Sequence, residues 1–100
     1  MTSSTPAAPS SDARILYLTR EGCHLCEVAL PLVRAEAVRA GAELEVRDID
    51  EDPALVRDWN DDVPVVFVDG QLHARYEVDP ARLRACLAPL PWWRRLLPRR

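Results

Sequence analysis

Arg14-Ile15-Leu16-Tyr17-Leu18-Thr19-Arg20-Glu21-Gly22-Cys23-His24-Leu25-Cys26 decides how this chain folds. Residues 14–19 form a short apolar run of strand formers bounded by a glycine-containing loop, and a buried strand is expected there. Helical spacing follows: Leu25, Val28, Leu32 and Ala35 fall on one face, which is expected to be the buried one. Gly41 is the expected C-cap, and Pro31 should kink the helix. Cys23 and Cys26 thus open a helix directly after a strand. Free backbone N–H groups and the positive end of the helix dipole favour a thiolate at Cys23. A cysteine of ordinary pKa ~8.5 can fall to about 3.5–7.5 in such a setting. Cys26 lies one turn further on, within reach of the Cys23 sulfur. The pattern suits a pair in which Cys23 attacks a disulfide and Cys26 resolves the mixed disulfide.

Working outward, Glu43 to Ile49 alternates polar and apolar residues and reads as a second strand. Asp52-Pro53 is an N-cap followed by proline at the first helical position, with Leu55, Val56 and Trp59 facing inward. Val63 to Val68 reads as a strand whose Pro64 lies near its start, where a missing donor is tolerated. Asp69-Gly70 is a two-residue hairpin signal, and Gln71 to Val78 is the returning strand. Asp79-Pro80 repeats the cap, and Leu83, Cys86, Leu87 and Leu90 form an expected buried stripe. The order is β-α-β-α-β-β-α. Strands joined through a helix should be parallel, and the last two strands should form an antiparallel hairpin.

Over residues 13–88 the chain resembles the thioredoxin superfamily, and most closely the small glutaredoxin-like proteins of bacteria. Four features carry the resemblance: the Cys23–Cys26 motif after the first strand, Pro31 five residues later, the Val63-Pro64 pair, and the hairpin at Asp69-Gly70. The resemblance implies an α/β, thioredoxin-like fold, a four-stranded mixed sheet with helices on both faces. It implies a cis Val63–Pro64 bond facing the cysteines, with Val63 and Pro64 docking an extended substrate. Arg20 matches the place where glutaredoxins keep a basic residue for the glutathione carboxylate. Two departures count against glutathione: Cys-His-Leu-Cys stands where glutaredoxins usually have Cys-Pro-Tyr-Cys, and Gln71 to Tyr76 contains no Gly-Gly pair. The function expected is a thiol–disulfide oxidoreductase acting on a protein or low-molecular-weight disulfide and recycled by a reductase or a thiol. The alternative is a non-catalytic binding module that docks a partner or a metal.

The remaining candidates have simpler readings. A closed zinc site wants four ligands, which would have to recruit His24, His73 and Cys86 to the pair, so no metal or other cofactor is expected. Cys86 is read as a small buried hydrophobe. His24 either supports the Cys23 thiolate as a cation or is an exposed loop residue. His73 reads as a surface residue and Trp59 as core. Asp48, Asp50, Glu51 and Asp52 read as a helix start and solvated turn, and Asp61 and Asp62 as charges near the site.

Length and composition agree with a single globular domain: 100 residues, 48% hydrophobic and 29% charged. Residues 1–12 read as a disordered leader without the basic and apolar regions of a secretory signal, residues 13–90 as the domain, and 91–100 as a basic, tryptophan-containing tail. Cytoplasmic residence is expected from the lack of secretory-signal features, and three cysteines in a reducing compartment then do not make a disulfide framework. Residues 13–88 hold nine arginines against fifteen acids, a balance of −6, whereas the last twelve residues hold four arginines and no acid. An acidic body argues against nucleic-acid binding. The tail, Pro91 to Arg100, could lie on an anionic membrane, but packing on its own domain is the preferred reading. A monomer is expected.

Overall fold

A computed structural model describes residues 6–88 of the chain. Four strands, β1 (Ile15–Thr19), β2 (Leu44–Asp48), β3 (Val65–Val68) and β4 (Gln71–Arg75), form one sheet in the order β2-β1-β3-β4. The helices are α1 (His24–Ala40), α2 (Pro53–Trp59) and α3 (Pro80–Leu87), and a 3-10 turn spans Ile49–Glu51. β1 and β2 are parallel, while β1–β3 and β3–β4 are antiparallel. The fold is the expected α/β, thioredoxin-like one.

Ile15 to Leu18 of β1 and all four residues of β3 are apolar because both faces of these central strands are covered. Ile15, Tyr17, Val66 and Val68 pack with Ala29, Val33 and Ala37 of α1 and Leu83 and Leu87 of α3. Leu16, Leu18, Val65 and Phe67 point the other way, onto Ile49 and onto Leu55 and Trp59 of α2. Successive strand side chains alternate between faces, so four consecutive apolar residues in β1 feed two cores. Asp52 caps α2 by accepting from Ala54 N–H at 2.9 Å, and Asp79 caps α3 by accepting from Ala81 N–H at 3.0 Å. Each cap is followed by proline, where the helix needs no donor.

Three expectations are corrected. In α1 the buried residues are Cys26, Ala29, Val33, Glu36 and Ala37, and Leu25, Val28, Leu32 and Ala35 are exposed. The phase of the helix is set by Cys26 pointing inward, and the small side chains at Ala29 and Ala37 let the helix lie close to the sheet. Cys86 is exposed as well. On an eight-residue helix the pair Leu83 and Leu87, one turn apart, takes the inward face and leaves Cys86 outside it. β4 stops at Arg75 instead of Val78, because Tyr76 adopts a left-handed conformation (φ 69°) that ends the ladder. The helix α1 runs unbroken through Pro31. Leu90 and the 91–100 tail lie outside the described residues. In the segment 6–12, Ala8 packs on the α2-side core and the Ser10 carbonyl accepts from Arg47.

Candidate active site at the CxxC end of the sheet

The C-terminal ends of β1, β2 and β4 and the start of β3 share one end of the sheet, since Thr19 is level with Asp48 and Leu18 with Val65, which pairs with Arg75. Cys23 sits there as the N-cap of α1 in an extended conformation. The turn into it uses Gly22 at φ 80°. Cys23 N–H donates to the Arg20 carbonyl at 3.2 Å. The Cys23 sulfur accepts from the Cys26 N–H at 3.2 Å, so a cysteine fills the role that serine or aspartate usually fills at a helix start. Cys23 is half-buried, whereas Cys26 is 1% exposed. Their sulfurs are bonded, with the Cα atoms 5.2 Å apart. The reachable thiol is thus the one that an amide donor and the helix N-terminus stabilise as an anion.

Tyr17 anchors this turn from below. It is wholly buried in β1, and its hydroxyl donates to the Cys26 carbonyl at 2.7 Å. Burial pushes the phenol up to about 12, so the group stays a donor at all ordinary pH. Sequence reading treated Tyr17 only as a strand former, because a bond across nine residues between strand and helix leaves no local signal.

The Val63–Pro64 bond, just before β3, is cis, and Pro64 is buried. The Pro64 carbonyl accepts from Tyr76 N–H at 2.9 Å, while the N–H and C=O of Val63 take no backbone partner among the described residues. Tyr76 is fixed further by its hydroxyl, which donates to Asp62 Oδ1 at 2.7 Å. Arg75 approaches the other Asp62 oxygen at 3.7 Å. A tyrosine at positive φ is uncommon and persists only when its surroundings over-determine it; here three hydrogen bonds do so, the third from its N–H to the Asp62 carbonyl at 3.2 Å.

Arg20 is tied to the opposite side of the site. Its Nε and one terminal nitrogen reach Asp50 at 3.0 and 2.8 Å, and the other terminal nitrogen reaches Asn60 Oδ1 at 2.7 Å. The hydrogen bond to Arg20 holds the Asp50 carboxyl below the usual carboxylate range. His24 and Leu25, between the cysteines, are exposed. His73 lies away from the site, at the irregularity in the β3–β4 pairing, with its pKa lowered by burial. Trp59 is core, edge-on to Phe67 with ring centroids 5.2 Å apart. Among the described residues no group of three or more His, Cys, Asp or Glu side chains could hold a metal ion. No helix among them is long and apolar enough to cross a membrane.

A family model described as a glutaredoxin-like domain (DUF836) matches residues 14–88. The chain belongs to this family. The glutaredoxin-like match takes in every element from β1 to α3. The uncharacterized protein Rv0508 of Mycobacterium tuberculosis is 32% identical over 83 residues, 78% of this chain and 86% of that protein. The solution structure of protein Ne2328 from Nitrosomonas europaea is 32% identical, with a TM-score of 0.64, covering 88% of this chain and 100% of the other. A thioredoxin variant from Halobacterium salinarum, 24% identical with a TM-score of 0.59 over 80% of this chain and 79% of its own, shares the fold. A glutaredoxin-like fold whose two cysteines stand at disulfide distance supports a thiol-redox role.

Proposed function

We propose that this glutaredoxin-like chain is a dithiol–disulfide oxidoreductase. The observation that carries the reading is the asymmetry of the pair: Cys23 is half-buried at a helix N-cap with an amide N–H on its sulfur, and Cys26 is buried beneath it. The Cys23 thiolate attacks one sulfur of a substrate disulfide, breaking that bond, forming a mixed disulfide and releasing one substrate thiolate. The Cys26 thiol, as it loses its proton, attacks the Cys23 sulfur and expels the second thiolate. The substrate gains two electrons and two protons, and the Cys23–Cys26 disulfide remains. A reductase or an external thiol restores the dithiol.

Val63 and Pro64 are the substrate-docking residues in this reading. The N–H and C=O of Val63, which take no backbone partner among the described residues, support it, since they offer an extended chain a pair of backbone hydrogen bonds at the cysteine end of the sheet. Arg20 is assigned to the same substrate-facing end. The substrate is a protein or a small disulfide. The test is reduction of a small aromatic disulfide with dithiothreitol as reductant. Cys23→Ser should lower turnover to the rate of dithiothreitol alone, and reduced Cys26→Ser, mixed with the disulfide without dithiothreitol, should accumulate a mixed disulfide visible by mass. Turnover that survives Cys23→Ser would overturn the assignment, and absence of any turnover in the parent protein would favour a binding module.

A further inference from the structure

Arg20 is the arginine nearest in sequence to the nucleophile, and the structure has already given its charge away. Its carbonyl accepts the Cys23 N–H, so its backbone is part of the turn that presents the sulfur. Asp50, in the 3-10 turn after β2, takes two guanidinium donors at 2.8 and 3.0 Å, and Asn60, at the end of α2, takes a third at 2.7 Å. These partners come from 30 and 40 residues away, and they meet Arg20 only because β1 and β2 end side by side. Asp48 and Asp61 are close enough to add to the negative field on the guanidinium. The fork geometry of arginine suits a carboxylate, and here a protein carboxylate fills it in bidentate fashion.

We propose that Asp50 and Asn60 are specificity-determining residues: by occupying Arg20 they make the Cys23 site discriminate against anionic thiols. The inference rests on the redox reading above and names the class of thiol that resets the pair. Resetting takes two thiolates. The first attacks the Cys23 sulfur and releases the Cys26 thiolate, which takes up a proton. The second attacks the resulting mixed disulfide, releases Cys23 as a thiolate and leaves as the oxidised thiol. A carboxylate-bearing thiol that reaches Cys23 meets a turn whose arginine is already paired with Asp50 and whose next residue, Glu21, is exposed. A neutral or cationic thiol loses nothing there.

The experiment compares opening of the Cys23–Cys26 disulfide in the full chain by three thiols: glutathione, with two carboxylates and one ammonium; neutral dithiothreitol; and cationic cysteamine. Each rate is divided by the rate of the same thiol on an unstructured peptide disulfide. In the parent protein glutathione should be the slowest on this scale and cysteamine the fastest. Asp50→Asn should raise the glutathione-to-dithiothreitol ratio by roughly fivefold, the factor that an exposed ion pair at the upper end of the usual range sustains. Asn60→Ala should move the ratio the same way by less. Adding Arg20→Gln to Asp50→Asn should return it to the parent value, which separates release of Arg20 from simple removal of a negative charge. An unchanged ratio in both single variants, or a gain that survives Arg20→Gln, would overturn the proposal. A parent disulfide that dithiothreitol fails to open would overturn the redox reading itself, and this inference with it.

Discussion

The two ends of the sheet reverse the chain with different residues. At the end away from Cys23 the chain turns at Gly41 (φ 66°), which closes α1, and at Asp69-Gly70 (φ 53° and 81°), which joins β3 to β4. These are residue types that adopt such angles at little cost. At the Cys23 end Gly22 serves one turn, but Tyr76 stands at φ 69° and is held by hydrogen bonds to the Asp62 and Pro64 carbonyls and to the Asp62 carboxylate. The far end is built from local preference. The Cys23 end is built from contacts between distant segments, which over-determine a conformation the local sequence would not choose.

The comparison breaks first if the Cys23 end lacks a firm base. Trp59 ends α2 immediately before Asn60 and packs edge-on against Phe67. Trp59→Ala should cost about 3–5 kcal/mol, the usual range for removing a buried aromatic, measured as a shift in the urea midpoint at constant slope. A loss below about 1 kcal/mol, within ordinary surface-to-core scatter, would mean that the loops on this end are supported elsewhere.

Swapping residue types between the ends sharpens the contrast. A Cβ built on Gly41 meets nothing within 4 Å, so Gly41→Ala pays only for its left-handed backbone. The expected cost is about 1–2 kcal/mol, with disulfide reduction unchanged. Tyr76→Gly relieves the unfavourable angle while releasing Asp62, and the melting temperature should stay near the parent value. The same change frees the loop against Pro64, and kcat/KM for disulfide reduction should fall severalfold. A large loss of stability in Tyr76→Gly with activity intact would reverse the roles given to the two ends.

The ion pairs differ between the ends as well. Glu36 is buried on α1 and takes two guanidinium bonds at 2.8 and 2.9 Å from Arg84, whose own side chain is 54% exposed, whereas the Asp50 carboxylate that pairs with Arg20 is itself 50% exposed. The bond from Arg84 holds the Glu36 carboxyl below the ordinary carboxylate range. A carboxylate with a depressed folded-state pKa adds stability above its unfolded value of ~4.3, and that stability is lost as pH falls through the folded value. Glu36→Gln should therefore lower the melting temperature at neutral pH and flatten its decline in acid. Asp50→Asn, at the exposed pair, should flatten it less. Equal effects would place the two pairs on the same footing.

Much of this architecture is legible in the sequence because it rests on local chemistry. The two Asp-Pro caps, the Asp69-Gly70 turn and the unbroken apolar runs of β1 and β3 each follow from neighbouring residues. The face of α1 is not legible in the same way. Leu25, Val28 and Leu32 outweigh Ala29 and Ala37 in any hydrophobic count, yet close packing on the sheet selects the small residues. Cys86 fails for a related reason, since two leucines fill the inward side of so short a helix. The Cys23–Cys26 pair is visible as a motif, whereas Tyr17 beneath it and the Arg20–Asp50–Asn60 contacts depend on tertiary neighbours.

The central claim is that Cys23 and Cys26 form one redox couple in which Cys23 is the reactive member. Equilibrating the full chain across graded dithiol and disulfide buffers, trapping free thiols by alkylation at mildly acidic pH, and mapping them by mass spectrometry tests it directly. The account predicts a single reversible two-electron transition confined to Cys23 and Cys26, between about −270 and −120 mV, where such catalysts fall. Brief alkylation of the reduced protein should modify Cys23 before Cys26 and before the exposed Cys86. No reversible transition, or faster labelling of Cys26 or Cys86, would contradict it.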